Sequence, residues 1–146
     1  MADNQVINSQ VSRIATEEFA ITEETYDPAK DAQIKLNLNF GFLPEQSTIV
    51  VRIKCLLYQD DRLLLIIAVS CWFATQVGDW HSRFDETTRT FWLHRDAALQ
   101  LASLTANTAR GVLHGKTEDL PINAAVLPIM DLDEIIKEDV VLSLKT

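Results

Sequence analysis

The side chains with the greatest potential for chemistry are three histidines and two cysteines. No two of these histidines have a short metal-binding separation such as i, i+4, and neither cysteine lies within four residues of a histidine, so the spacing argues against a zinc site. Cysteine-dependent catalysis would require His81 or His94 as the base for Cys71, which lies in a strongly apolar run typical of inert core cysteines. We therefore expect no catalytic residue, no metal and no cofactor, in a protein that is not an enzyme. The full set is His81, His94, His114, Cys55 and Cys71.

Carboxylates and glycines give no stronger indication of chemistry. The acidic pairs at 17–18, 23–24 and 60–61 stand at predicted strand ends and turns, where solvated carboxylates are ordinary. The chain has four glycines, all well separated, and so lacks the glycine-rich loop that cradles a phosphate group. Binding through apolar surface is therefore the function that the residue types favour.

Large apolar side chains are concentrated at the ends of predicted strands. They have two interpretations: they close one end of a core, or some of them line a groove for apolar segments of another polypeptide. Aromatic and methionine side chains suit such a groove because they offer adaptable contact area without a fixed hydrogen-bond pattern. The residues concerned are Phe40, Phe42, Trp72, Phe73, Trp80, Phe84, Trp92 and Met130.

The element that must position these side chains is the apolar run at residues 62–73. Positions 63–69 hold no polar residue, and a strand this apolar must be covered on both faces, so it lies in the middle of a sheet. Residues 48–58 alternate like a strand, and a polar turn follows them. We predict a hairpin over residues 48–75. With the turn at 60–61, Cys55 would face Ile66 and Cys71 would face Val50, which leaves both thiols reduced.

Two further strands are predicted before this hairpin. Residues 11–23 end in an alternating strand with a bulge near Thr16, because Ile14 is out of phase with Phe19. Residues 33–40 show the clearest alternation of apolar and polar positions in the chain. The short connections favour a four-stranded antiparallel meander, and residues 74–86 are predicted to be irregular.

The spacing of apolar residues changes from a strand-like to a helical period after residue 93. A long helix is predicted over 94–114, with Gly115 as its C-cap. It is rich in small side chains, which allow close packing on a sheet. Residues 122–127 are predicted to be extended, and 131–139 to form a short helix capped by Asp131. The fold class is therefore α+β, with one long helix on one face of the sheet and a short C-terminal helix.

The composition predicts a single acidic domain over residues 1–146. The formal net charge is -8, which argues against nucleic acid and anionic membrane surfaces as partners. The mean hydropathy of +0.03 indicates leftover apolar surface, either in an oligomer interface or in a binding groove. The sequence has no secretory signal, and its apolar run is too short to span a bilayer, so we expect a cytoplasmic protein without membrane insertion.

One segment near the C-terminus carries a resemblance to a known family. Residues 126–136 align without a gap on the family pattern Leu-Pro-Pro-Val-Asn-Phe-Asp-Ala-Leu, with matches at Leu127, Pro128 and Asp133. Residues 11–14 and 34–38 resemble two of the family's strands, so the resemblance covers roughly residues 11–140. Together with the order of the elements, these motifs resemble SecB, the bacterial export chaperone. The substituted pattern positions are Ile129, Met130, Asp131 and Leu132.

Two departures from the family pattern favour a divergent SecB-like branch. Residues 70–73 replace a Gly-rich pair, and the family's tail for binding the motor ATPase SecA is not found after Val141. Some members of that branch are linked to toxin–antitoxin systems. The resemblance leaves SecA or an antitoxin as the expected partner.

The resemblance implies an ATP-independent holdase that assembles as a dimer of dimers. Unfolded or precursor polypeptides would bind in grooves beside the second strand and the last helix, and bound precursors would stay competent for export. The alternatives are a SecB-like chaperone dedicated to a toxin–antitoxin system and a small-molecule-binding α+β domain. The resemblance gives the groove residues Leu38, Phe40, Phe42, Leu127, Pro128, Met130, Leu132 and Ile135, and chemistry alone adds Trp72 and Trp80.

Overall fold

The computed structural model describes residues 7–22, 26–124 and 132–143. Within these residues the chain forms two sheets, two α-helices and three short 3₁₀ helices, the latter at Pro44–Gln46, Pro121–Ala124 and Leu132–Glu134. No described helix is long and apolar enough to cross a bilayer. The strands and α-helices are β1 (Ser9–Ile21), β2 (Gln33–Leu43), β3 (Thr48–Gln59), β4 (Arg62–Thr75), α1 (Val77–Arg83), β5 (Phe84–Asp85), β6 (Thr90–Leu93), α2 (Arg95–Thr117) and β7 (Val140–Ser143).

The predicted hairpin is confirmed as β3 and β4. Asp60 and Asp61 form its tip with positive φ angles of 50° and 63°, the backbone conformation of a two-residue hairpin turn. The predicted register is wrong by one residue, since Cys55 pairs with Ile67 and Cys71 with Val51. The cause is a bulge between Leu57 and Tyr58, which inserts one extra residue into the ladder. Both cysteines are free and buried.

The main sheet has the strand order β1-β4-β3-β2. The α+β class, the antiparallel four-stranded sheet and the central position of β4 are therefore confirmed. The meander holds only for β2, β3 and β4, because β1 lies beside β4 and not beside β2. This order follows from the apolar character of β4, because a strand that is buried on both faces lies inside a sheet with a neighbour along each edge. Strand β3 is one neighbour, and β1 is the strand that remains for the other edge.

Two bulges shape β1, one between Val11 and Arg13 and one between Thr16 and Glu18. The second confirms the bulge expected near Thr16. It brings Phe19, opposite Ile67, onto the same face as Ile14, opposite Cys71. The bulges therefore let an irregular sequence present its apolar residues to one side.

Helix α2 covers one face of the sheet, packing on β3 and β4. His94 is its N-cap, and the side chain accepts a bond from the Asp96 N–H. The expected end at Gly115 is wrong, because the helix continues to Thr117, whose buried hydroxyl donates to the Leu113 carbonyl at 2.8 Å. Small residues allow the close approach of helix and sheet. The buried helix residues are Ala97, Ala98, Leu101, Ala102, Thr105, Ala106, Ala109, Leu113 and Thr117.

The side chains that point away from α2 form the second face of the sheet, here called the open face. On this face Ala68 is completely buried although α2 lies on the other side. Lys54 and Glu18, on the two flanking strands, pair with Ala68 in the ladder and join in a 3.1 Å ion pair. The long side chains of β1 and β3 thus cover the second face of β4, and they do so within one subunit.

Three local predictions outside the main sheet are wrong. Residues 77–83 form helix α1 where irregular structure was expected. Of the segment expected to be extended, residues 122–124 belong to the 3₁₀ helix Pro121–Ala124, and residues 125–127 lie outside the described residues. The predicted C-terminal helix is reduced to the 3₁₀ helix Leu132–Glu134, and the tail forms β7. Strand β7 pairs with β6, and the small sheet has the order β5-β6-β7.

Candidate functional site

The candidate site is an open cleft between β2 and the C-terminal segment, here called the β2 cleft. Leu38 and Phe40 line one side, and Ile135, Ile136 and Val140 line the other, around a volume of about 440 Å³. Ile135 is 46% exposed, so its side chain presents apolar surface to solvent. Polar residues complete the lining, namely Lys137, Glu138 and Asp139.

Strand β2 supplies its side of the cleft because its sequence alternates strictly. Ile34, Leu36, Leu38 and Phe40 are half-buried, whereas the polar residues between them are exposed. These four side chains share the face on which α2 lies, but α2 packs on β3 and β4. Since β2 is the edge strand of the sheet, its outer backbone groups lie next to this apolar row.

Arg95 holds the other side of the cleft in place from the first residue of α2. Its Nε donates to the Ile136 carbonyl at 2.9 Å, and a terminal guanidinium nitrogen donates to Asp133 at 2.9 Å. Its backbone N–H donates to the Asp139 carboxylate at 2.8 Å. One residue at a helix start therefore fastens three positions of the segment that carries Ile135.

Asp139 completes this attachment. The Trp92 indole N–H donates to its second carboxylate oxygen at 3.1 Å. The backbone N–H of Arg95, followed by the Trp92 indole, lowers the pKa of Asp139 below its usual value, since both donors favour the ionised form. The carboxylate also lies at the positive end of the α2 dipole, which favours negative charge.

An aromatic cluster closes the core beside the cleft. The ring centres of Trp80 and Phe91 are 4.4 Å apart, and those of Phe42 and Phe91 are 6.3 Å apart. Phe84 completes the cluster, 5.6 Å from Trp80. Phe42 and Trp80, which were expected in the groove, are 8% and 2% exposed, so the structure places them behind the cleft and not in its lining.

The other expected groove residues have different locations. Leu38, Phe40 and Ile135 lie together in the β2 cleft. Leu132 is buried beneath the C-terminal segment, and Trp72 is half-buried on the open face, away from the cleft. Leu127, Pro128 and Met130 lie outside the described residues.

Sequence reasoning missed Ile136 and Val140 in the lining, and Trp92, Arg95 and Asp139 in its support. Asp139 lies 44 positions after Arg95, so no local motif links them. Residues 135–142 read Ile-Ile-Lys-Glu-Asp-Val-Val-Leu, a charged triplet between two apolar runs, and this short pattern indicates no partner.

Thiol reactivity and metal binding can be judged from the described residues. Burial raises the pKa of the Cys55 thiol to about 11, so this sulfur stays protonated and unreactive at neutral pH. Within the described residues no three histidine, cysteine or carboxylate groups converge on a common point suited to a metal ion.

Comparison with known proteins gives a match at the level of structure. No family model and no curated protein matches the chain. One solved structure that it resembles is the Mycobacterium tuberculosis SecB-like chaperone Rv1957 in complex with a ChAD peptide from the Rv1956 HigA1 antitoxin, with a TM-score of 0.55. The match covers 84% of this chain and 90% of that chain at 19% identity. The fold is SecB-like.

Proposed function

We propose that this protein is an ATP-independent chaperone that holds non-native polypeptides by their apolar segments in the β2 cleft. The observation that carries the proposal is the open cleft itself, in which Leu38, Phe40 and the half-exposed Ile135 meet beside an edge strand. The SecB-like fold supports it. An unfolded client supplies the apolar side chains that would complete the burial of these residues.

The energetics favour a client that is extended and bound at several points. Fully burying one large apolar side chain contributes about 1.5–3 kcal/mol, whereas fixing the backbone of each client residue costs about 1–2 kcal/mol. One cleft therefore binds a short segment weakly, and repeated clefts on an oligomer would hold a long chain through avidity. The outer edge of β2, with which no described strand pairs, would add backbone hydrogen bonds that do not depend on the client's sequence.

We also propose that the chain assembles into a homo-oligomer, as a dimer of dimers. Val11 and Ile14, on β1 toward the α2 side, are 46% and 51% exposed. Leu104 of α2 is likewise exposed. Large apolar side chains of this kind on one side of a monomer favour burial against a second copy. The expected sizing result is a particle about four times the 16.5 kDa chain, and a monomer would contradict this part of the proposal.

A second candidate is a chaperone dedicated to one antitoxin. The observation that favours it is that the SecB-like chaperone with the same fold is bound to an antitoxin peptide. The two candidates differ in their clients: a general holdase, including one that serves precursors for export through SecA, binds many unfolded chains, whereas a dedicated chaperone binds one segment and ignores the others.

The test is suppression of aggregation of a reduced, unfolding client by the full-length chain. We expect suppression at equimolar protein. Ile135→Ser should weaken client binding about fivefold, since the exposed half of one apolar side chain is worth about 1 kcal/mol. Val77→Ser is the matched control, because Val77 is also exposed but lies in α1 outside the cleft.

Three results would contradict the proposal in different ways. Absence of suppression by the wild-type chain rules out a general holdase. Equal effects of Ile135→Ser and Val77→Ser rule out the β2 cleft as the binding site. Binding of a single antitoxin segment without suppression of other clients selects the dedicated chaperone.

A further inference from the structure

The open face of the main sheet has a charge opposite to that of the whole chain. Arg13, Lys35, Arg52 and Lys54 point to this face, as their ladder partners and contacts show. Glu18 is the one described acidic residue on the same rows. Because the chain as a whole has a net charge of -8, this excess of cations on one surface is a marked segregation of charge.

The cations flank two small side chains on β4. Ala68 and Ser70 are both buried on the open face, and they pair with Lys54 and Arg52 of β3. The Arg13 guanidinium lies 4.4 Å from the centre of the Trp72 ring, and the Lys35 ammonium lies 5.1 Å from that of Tyr58. Such stacking holds the charged groups in place, so less entropy is lost when they bind an anion.

Arg52 stands out among these residues. It is half-buried, and within the described residues no carboxylate or hydrogen-bond acceptor pairs with it. Lys54 has Glu18 as its partner at 3.1 Å. An arginine without such a partner is a ready site for a carboxylate, because charge-assisted pairing with Arg is bidentate and strong.

We propose that the open face docks an acidic polypeptide segment in an extended conformation. Arg52 and Lys54 are two residues apart on β3, which places their side chains about 7 Å apart along the strand. An extended segment with Asp or Glu at alternate positions repeats with the same spacing, so successive carboxylates would meet successive cations.

Two other occupants fit less well. A second copy docked face to face would oppose cation to cation, which electrostatics disfavours. A nucleic acid would meet these few cations but would be repelled by the acidic remainder of the chain, and phosphate binding needs a larger surplus of Lys and Arg. A short acidic segment matches the size of the patch and avoids the rest of the surface.

The experiment measures binding of a fluorescein-labelled peptide of about ten residues, in which glutamate alternates with threonine, at about 50 mM salt. We expect the double variant Arg52→Glu/Lys54→Glu to weaken binding by about tenfold or more. Lys30→Glu/Arg89→Glu is the matched control, since both residues are exposed, lie outside the open face and change the net charge equally. The control should bind within about twofold of wild type.

A second variant, which should tighten peptide binding, tests the proposal even if the charge-reversal variant disturbs the sheet. Glu18→Gln frees Lys54 and removes the acidic group from the face, and should tighten binding about threefold. Glu17→Gln, at the neighbouring exposed position of β1, makes the same charge change and should have a smaller effect.

Four outcomes would overturn the proposal. The first two are an equal loss of peptide affinity in the two double variants, and no gain of peptide affinity with Glu18→Gln. The third is tighter binding of a single-stranded oligonucleotide than of the acidic peptide. The fourth is self-association of the protein that the peptide abolishes. The proposal is independent of the β2 cleft, which lies on the other face. Arg52→Glu/Lys54→Glu should therefore still suppress client aggregation, and Ile135→Ser should still bind the acidic peptide.

Discussion

The substitution Arg95→Ala should loosen one side of the β2 cleft without touching its apolar lining. It removes the bond from Nε to the Ile136 carbonyl and the pair with Asp133, both at 2.9 Å. The first is partly buried and contributes about 1–1.5 kcal/mol. The second contributes less than about 1 kcal/mol, because the Asp133 side chain is 68% exposed and water screens the pair. The C-terminal segment thus loses about 2 kcal/mol of local stability.

Amide hydrogen exchange under native conditions measures this loss. The Ile135 and Ile136 amides donate to the Leu132 carbonyl at 3.0 and 2.8 Å, so they exchange only when the segment opens. A loss of about 2 kcal/mol corresponds to about 30-fold faster exchange at these two amides. The Ile53 amide, in the buried centre of β3, should keep its rate.

Arg62→Ala, at the exposed end of the hairpin, is the matched control and should leave all three amides unchanged. Unchanged exchange at Ile135 and Ile136 in Arg95→Ala would show that Arg95 does not hold the segment. Equal acceleration at Ile53 would show instead that Arg95 stabilises the whole domain. Local opening should also weaken client binding, because the cleft would have to be reordered on each binding event.

The remaining predictions concern acid, the hairpin tip and a thiol. The lowered pKa of Asp139 means that its bonds stabilise the segment above the usual carboxyl pKa of 3.8 and are lost as the pH falls through the lowered pKa. The protection factor of the Ile136 amide, which compares its exchange rate with that of an unfolded amide at the same pH, should fall over that range, and Asp139→Asn should remove this fall. Asp61 has a φ of 63°, so Asp61→Gly should raise the melting temperature by about 2 °C, and a decrease would refute the turn assignment. Cys55, with its pKa near 11, should resist alkylation at pH 8 in the folded chain and react on unfolding; fast labelling of the native protein would contradict its burial.

The central hairpin was predictable because both of its strands have unambiguous patterns. Alternation defines β3, and the unbroken apolar run defines β4 as an internal strand. Its register was not predictable, since the bulge at Leu57 and Tyr58 depends on tertiary packing and leaves no local signature. The position of β1 beside β4 could have been predicted. In a simple meander β4 would be an edge strand, and a strand that is apolar on both faces would then have one edge without a partner.

The small elements could not be predicted because long-range contacts stabilise them. Helix α1 contains Gly78 and has only seven residues, and it is held by the burial of Trp80 in the aromatic cluster. Strand β7 has four residues and pairs with β6, about 50 positions earlier. Neither segment has enough periodicity to specify its structure alone.

The candidate site was predicted in part. Leu38, Phe40 and Ile135 were identified by resemblance, and the structure brings them to one cleft. Phe42 was selected by resemblance and Trp80 for its chemistry, but aromatic side chains of this size are as often core as surface. The support from Arg95 and Asp139 joins two distant segments, and a single sequence carries no sign of such a pair.

The strand order has a consequence for how the chain is made. β3 joins β4 through a two-residue turn. In contrast, Ser9 of β1 pairs with Thr75 at the far end of β4. Within the main sheet, β1 is synthesised before the other three strands but can pair only after β4, which ends at Thr75, has been made. Until then β1 has no strand partner, so the nascent chain itself presents an unpaired strand of the kind that an aggregation-prone polypeptide carries.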